Sequence, residues 1–329
     1  MKAVIINEFG GVDKLTYTDI DKPMPKDDEV LVKNSIIGVG KPDYMVRSGI
    51  YPYLEKQPPN LVIGNECAGY VEAVGKDVDN IKVGDAVWVV NMPGYGAYAE
   101  YICVNQKFVT VLPDSIPFEK AVGLGNYFVA YSLLHEAGRG TDGQSLYILG
   151  GAGGVGTALI KLALKEGWEV ISGADTDEKC EYLISIGTTH VFNSTKIDQY
   201  KAVKEFTNQR GVDLLFDQWV GENFYKQFDL LADFGMVVVY NWLEGSPNED
   251  FFPHMVDQAI HSTAVRIFSS HIYDNKPERL EKIKNQVFEL IASGEIIPEI
   301  YDIYQLSDVK KAHQLLDEGK ITGKLLLKP

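Results

Sequence analysis

The sequence predicts an α/β protein with a β-rich first domain and a second domain built on a doubly wound parallel sheet. Three observations carry this. Residues 2–112 hold short β-branched, apolar runs separated by Gly, Pro and Asp. From Pro117 onward strand-like and helix-like segments alternate, the rhythm of βαβ units. Within that alternation the apolar run from Leu146 to Leu149 stops at Gly151-Ala152-Gly153-Gly154-Val155-Gly156, and a helix-forming segment, 157–166, follows at once.

That last stretch is a strand, a tight turn and a helix start, and it fits G-x-G-x-x-G. Glycine suits the turn because other residues cannot adopt its backbone angles. It also lets the main chain touch a pyrophosphate, and lets helix and strand pack closely. The helix N-terminus then offers free N–H groups and a partial positive charge to phosphates. A second strand over 169–172 ends near Asp175, about 20 residues beyond the turn, where an acid can accept hydrogen bonds from a ribose. The order strand, turn, helix, strand, acid predicts dinucleotide binding.

Taken in order, strands are expected at 2–6, 29–34, 68–74, 85–89, 98–104 and 108–112, making a barrel-like β domain. Helices follow at 118–122 and 128–138, with Gly138 as C-cap. Further strands are expected at 190–192, 213–216, 236–240 and 262–268, with helices at 199–208 and 223–231. An amphipathic helix over 277–293 leads to an extended piece at 296–298. A last helix over 308–318, capped by Ser307, leads to a terminal strand at 325–327. The expected domains are 1–119, 120–268 and, returning to the first, 269–329.

With 329 residues the chain has room for two cores. A net charge of -15 opposes binding to nucleic acid or anionic lipid. Three scattered cysteines, Cys67, Cys103 and Cys180, make neither a disulfide framework nor a zinc cluster. No apolar run is long enough for a signal peptide or membrane span, so a cytoplasmic protein is expected.

The carriers of a family likeness run almost the whole length of the chain. They are Met1-Lys-Ala, Asp43 with Arg47-Ser-Gly-Ile-Tyr51-Pro, Gly64-Asn-Glu-Cys-Ala-Gly-Tyr-Val-Glu-Ala-Val-Gly75, Val83-Gly-Asp-Ala-Val87 and Gly96-Ala-Tyr-Ala-Glu-Tyr101. Later come Gly151 to Gly156, Glu178-Lys179, Leu290-Ile-Ala-Ser-Gly294, Ala312-His-Gln-Leu-Leu316 and Gly323-Lys-Leu-Leu-Leu327. The chain resembles the zinc-independent quinone oxidoreductase (zeta-crystallin-like) branch of the medium-chain dehydrogenase/reductase superfamily. The resemblance implies a GroES-like catalytic domain interrupted by a Rossmann domain, with hydride transfer from NAD(P)H in the cleft between them. It also implies a homodimer joined through an edge strand, here 262–268.

Departures from the family pattern matter. Zinc-dependent relatives carry a Cys near Gly40 and a Gly-His-Glu that falls on Gly64-Asn65-Glu66, and the four-cysteine lobe is missing. No zinc is therefore expected, since Glu66 alone cannot hold it. Within the quinone reductases an Asn is usual at Gly40 and a Tyr at Met45, both facing the nicotinamide. Val129 stands where a small hydroxyl residue is usual, and Gly319, beside Lys320, where an arginine is usual.

Tyr51 is the first candidate for catalysis, as a phenol able to hydrogen-bond a developing enolate. Asn65 could bond a carbonyl, its alternative being a turn residue. Asp43 is a lesser candidate, read mainly as a structural partner of Arg47. The cofactor candidates are Gly151, Ala152, Gly153, Gly154, Val155, Gly156, Asp175, Lys179, Asn126, Val129, Tyr240 and Asn241. Trp219 and Trp242 could wall the pocket or belong to the core. Asp175 repels a 2′-phosphate and Lys179 attracts one; the carboxylate tips the expectation to NADH. Cys67 reads as a small buried hydrophobe and His313 as a surface residue. The acceptor expected is a quinone or an α,β-unsaturated carbonyl compound. A metal-free ketone or alcohol oxidoreductase and a nucleotide- or RNA-binding protein without activity are the alternatives.

Overall fold

The computed structural model describes residues 1–91, 93–138, 143–247 and 250–329. They pack as two compact units, Met1–Gly125 with Ile297–Pro329, and Asn126–Ile296. The expected divisions fell at 119 and 268. The helix Pro277–Ala292 lies in the second unit, held there by the Arg279–Glu136 ion pair, and Lys165 pairs with Glu295 just beyond it at 2.9 Å.

The first unit opens with β1 (Lys2–Ile6), β2 (Thr16–Asp19), β3 (Glu29–Val39), β4 (Leu61–Val62), β5 (Glu66–Val74), β6 (Ala86–Val90), β7 (Tyr101–Asn105) and β8 (Val109–Val111). The second unit holds β9 (Ser145–Leu149), β10 (Glu169–Ala174), β11 (His190–Asn193), β12 (Val212–Asp217), β13 (Leu231–Val239) and β14 (Ala264–Ile267). The chain returns to the first unit with β15 (Ile300–Gln305) and β16 (Lys324–Lys328).

In the first unit the spine is β3, flanked by β5 and β16, with β7 pairing along its first half. The strand runs past the expected end at Asn34 because that side chain, although buried, donates to the carbonyls of Ala97 (3.0 Å) and Ala99 (2.8 Å). Val30, Val32, Ile37 and Val39 of β3 pack with Val71, Val89 and Leu325 into one core. The short or solvated strands β2, β4 and β15 were not anticipated. Their residues are largely exposed or too few to show a period of two. The helix Lys41–Arg47 was also missed, with Pro42 in its first turn.

In the second unit six strands lie parallel in the order β11-β10-β9-β12-β13-β14. The chain runs outward from β9 on one side and from β12 on the other, so their carboxyl ends flank the switch point where such sheets bind ligands. Tyr147, Phe216, Phe228 and Val237 are at most 2% exposed here. Burial of this kind stabilises by about 1.5–3 kcal/mol per large side chain.

Three local expectations change. The helix over 223–231 is a tighter 3-10 stretch, Phe224–Leu230. Gly138 does cap its segment, but at φ -78°, and it is glycine for want of space: a Cβ there would meet Leu214 at 2.9 Å. The last helix, Val309–Asp317, is capped at Asp308 without a side-chain bond, and Ser307 lies in the 3-10 turn before it.

Candidate functional site

The turn after β9 is shaped by contacts that leave no room for side chains. Gly150 has φ +76°, and the helix Gly154–Lys165 starts after Gly153. A Cβ on Gly151 would lie 2.2 Å from Ser172 Oγ, and one on Gly156 would lie 2.4 Å from the Gly150 carbonyl oxygen. Gly153 is different, with its nearest neighbour at 3.4 Å, so it is small toward the outside rather than the inside. Thr157 Oγ1 donates to the Gly151 carbonyl at 3.2 Å and fixes the turn from within. The first-turn amides of that helix have no acceptor inside it, which makes the turn an anion seat.

Two side chains border the turn. A Cβ on Gly154 would lie 2.4 Å from Asn126 Nδ2, so that carboxamide sits over the helix start. One on Gly150 would lie 2.1 Å from Gln218 Nε2, and Gln218 was not anticipated. Its place just after β12, across the switch point, was the signal that could have found it. The loop carrying Gln218 is held by buried Asp217, whose Oδ1 accepts from the amides of Trp219 (2.7 Å) and Val220 (3.1 Å).

Asp175 and Lys179 follow β10 and bond each other, Nζ to Oδ1, at 2.6 Å. The two residues with opposed cofactor preferences therefore form one ion pair. Tyr240 follows β13; its amide donates to the Asp217 carbonyl at 3.0 Å. Its phenol has no partner among the described residues, and burial, with Asp217 nearby, pushes it up. Val129 is half-buried on the helix Leu124–Ser132, and Asn241 Oδ1 accepts the amide of Trp242 at 3.0 Å. Neither makes a side-chain hydrogen bond to the turn among the described residues.

In the first unit Asp43 and Asn65 come together through the main chain. Asp43 is fully buried; Oδ2 accepts from the Gly40 amide (2.8 Å) and Oδ1 from the Asn65 amide (3.0 Å). Burial raises its carboxyl to about 6, against the pull of Lys324, the two amides and the Tyr98 hydroxyl. Tyr51 is half-buried, edge-on to Tyr53 at 5.8 Å, beside Gly94.

The expected Asp43–Arg47 pairing is replaced by a longer connection. Arg47, 2% exposed, binds both carboxylate oxygens of Asp317 (2.9 and 2.8 Å), the Gly10 carbonyl (3.2 Å) and His313 Nδ1 (3.1 Å). His313 Nε2 meets the Tyr98 hydroxyl at 3.0 Å, and Tyr98 reaches Asp43. A guanidinium only donates, so Nδ1 must accept and Nε2 carries the proton; the Tyr98 hydroxyl in turn donates a hydrogen bond to Asp43. His313 is thus buried and neutral rather than on the surface, with burial and Arg47 lowering it to about 3. Its helical spacing alone could not distinguish an inner from an outer face.

Glu66, where the Glu of the Gly-His-Glu pattern falls, is held by donors that do not fit a metal. Oε2 takes Lys324 Nζ at 2.6 Å and Oε1 takes Trp88 Nε1 at 2.9 Å, all three buried. Among the described residues no group of three His, Cys, Asp or Glu could hold a metal ion. Cys67 is fully buried, and burial pushes its thiol up.

A β-rich unit and a separate parallel sheet with a glycine turn at its switch point are the two parts expected of a nucleotide-dependent oxidoreductase. Residues 26–114 match the alcohol dehydrogenase GroES-like domain, and 154–292 match the zinc-binding dehydrogenase domain. The chain is 29% identical to the quinone oxidoreductase of Homo sapiens, over 99% of this chain and 97% of that one. The quinone oxidoreductase of Pseudomonas syringae pv. Tomato DC3000 superposes with a TM-score of 0.90 at 27% identity, covering 100% of this chain and 99% of that one. The Escherichia coli quinone oxidoreductase complexed with NADPH gives a TM-score of 0.89 at 26% identity, covering all of both chains.

The chain belongs to the medium-chain dehydrogenase/reductase superfamily, and within it to the quinone oxidoreductase type. It is an oxidoreductase.

Proposed function

We propose that this chain reduces a quinone, or the β-carbon of an α,β-unsaturated carbonyl compound, with hydride from NAD(P)H and without zinc. The observation that carries this is the glycine turn seated at the switch point between β9 and β12. The quinone oxidoreductase relatives, one of them complexed with NADPH, support it. The nicotinamide supplies the hydride. The first-turn amides at Gly154, Val155 and Gly156, with Ala152 and Asn126 beside them, hold the pyrophosphate. Asp175 takes the adenosine ribose, and Tyr240, Val129 and Asn241 shape the nicotinamide side.

At the acceptor, Tyr51 donates a hydrogen bond to the oxygen that gains charge, and the Asn65 carboxamide orients the carbonyl. Asp43 acts through the amides of Gly40 and Asn65, setting the loop rather than moving a proton. The test is loss of reduced-nicotinamide absorbance against a benzoquinone and an enone, before and after a chelator. Undiminished turnover supports a zinc-free reductase. Turnover confined to simple ketones would transfer the function to a carbonyl reductase. Cofactor binding without turnover, with salt-sensitive retention on RNA, would favour the non-enzymatic alternative that the charge of -15 opposes.

NADH is the favoured cofactor, because the Asp175 carboxylate both repels a 2′-phosphate and occupies Lys179. Asp175→Ser frees that ammonium, and kcat/KM with NADPH should rise roughly tenfold while that with NADH falls. An NADPH value that does not move would remove the pair from cofactor choice. We also place a homodimer contact on the edge β14, where Ile267 is 77% exposed and neighbouring Ile260 86%. Light scattering should give twice the chain mass, and a monomeric mass would reject it.

A further inference from the structure

Lys324 begins β16 and is 8% exposed. Its ammonium has three protons, and Glu66 Oε2 at 2.6 Å takes one of them. Among the described residues no second acceptor takes this ammonium. Glu66 cannot turn away, since Trp88 Nε1 holds its other oxygen at 2.9 Å. A buried donor with unused protons costs about 1–3 kcal/mol unless something accepts from it.

Gly40 shows where an acceptor can reach. Its φ is -157°, extended backbone open to any residue. A Cβ there would have Lys324 Nζ and Pro42 Cδ as neighbours at 3.6 Å, which is ordinary contact. Neither conformation nor crowding requires glycine at this position. Its effect is to leave the Lys324 ammonium uncovered on the side where a residue 40 side chain would stand. By contrast, a Cβ on Gly38 would press on Lys324 Cε at 2.8 Å, so the lysine stem itself is held still.

We propose that the Lys324 ammonium, held by Glu66 and uncovered at Gly40, binds the acceptor oxygen and stabilises the negative charge that reduction places on it. This rests on the reductase function proposed above and adds a catalytic residue to it. As hydride adds to the acceptor carbon, the π electron pair moves onto the oxygen, and two of the ammonium's protons lie ready to hydrogen-bond it. The oxygen later takes its proton from solvent, and Lys324 keeps its own. An ammonium fixed by a carboxylate thereby does the electrostatic work that a metal ion does elsewhere.

The test uses the full chain and 4-nitrophenol, whose yellow phenolate is read directly by absorbance. The wild type should bind the phenolate about tenfold more tightly than the phenol, lowering the probe's apparent pKa by about one unit. Lys324→Arg should keep this preference. Gly40→Asn, which leaves the ion pair in place, and the double variant Lys324→Met with Glu66→Gln, which leaves no unpaired buried charge, should each lose it. Thermal melts establish that each variant is folded.

With a quinone, kcat/KM should fall roughly 100-fold in the double variant while cofactor affinity is unchanged. Equal phenolate preference in wild type and both covered or neutralised variants overturns the proposal, as does a wild type that shows none. A wild type with the preference that turns over neither quinone nor enone sinks the reductase function and leaves the oxyanion site standing. Turnover without the preference sinks the oxyanion site alone.

Discussion

Gly156→Val should weaken binding of the reduced cofactor by at least roughly 100-fold, about 3 kcal/mol, in a fluorescence-quenching titration. The new Cβ would lie 2.4 Å from the Gly150 carbonyl oxygen and 2.6 Å from Gly151 Cα. Both neighbours are main chain, so the turn itself has to open and its amides lose their common aim. Overpacking of this kind also removes about 1–3 kcal/mol of stability. Gly153→Ala separates the two effects, because its Cβ finds nothing nearer than 3.4 Å. That variant should melt like the wild type yet bind cofactor about tenfold more weakly, since the methyl would face the pyrophosphate in the proposed binding mode. Unchanged affinity in Gly153→Ala would mean that the phosphates do not lie on this turn.

Arg47→Met should unfold the first unit more easily by about 3–5 kcal/mol, with a fall in Tm on the order of 10 °C. Methionine fills much of the space but leaves the Gly10 carbonyl, His313 Nδ1 and Asp317 without their donor. Arg47→Lys restores a charge opposite Asp317 but not the fork that reaches three acceptors at once, so its loss should be intermediate. Asp317→Asn should cost least, because that side chain is 32% exposed and water can answer part of the change. Urea titration is the direct check. A loss in Arg47→Met below about 1 kcal/mol would show that the buried chain of bonds does not hold this unit together.

Much of this architecture was legible because it repeats locally. The strand, glycine turn and helix at 145–165 follow from neighbours in sequence, and so does the βαβ rhythm after it. Long-range contacts decided the rest. Asn34 ended the expected strand because an isolated asparagine reads as punctuation, yet the carbonyls of Ala97 and Ala99 keep it inside β3. His313 read as a surface residue because Arg47 and Tyr98, its partners, lie 266 and 215 positions away. Lys324 sits in a short apolar run and shows no sign of Glu66 until β16 is paired with β3. Of the residues proposed to hold the cofactor, the glycines and Asp175 stand out in the sequence. Gln218 emerges only once the strand order brings β12 beside β9.

The same distances bear on how the protein is made. The first 125 residues leave the ribosome before β16 and the helix that carries His313 and Asp317. Their completing segment lies beyond all of Asn126–Ile296, which is 171 residues, 296 minus 126 plus one. At about 5–20 residues per second that is roughly 10–30 s of synthesis. Throughout it, β3 has β5 on one side but lacks its β16 partner at Ile37, Gly38 and Val39, and Arg47 lacks the Asp317 carboxylate. The Rossmann unit, being continuous in sequence, can close while the older domain waits half-built. The nascent chain thus inverts its own order, finishing last the part it began first, and its open β3 edge is where a chaperone would have most to protect.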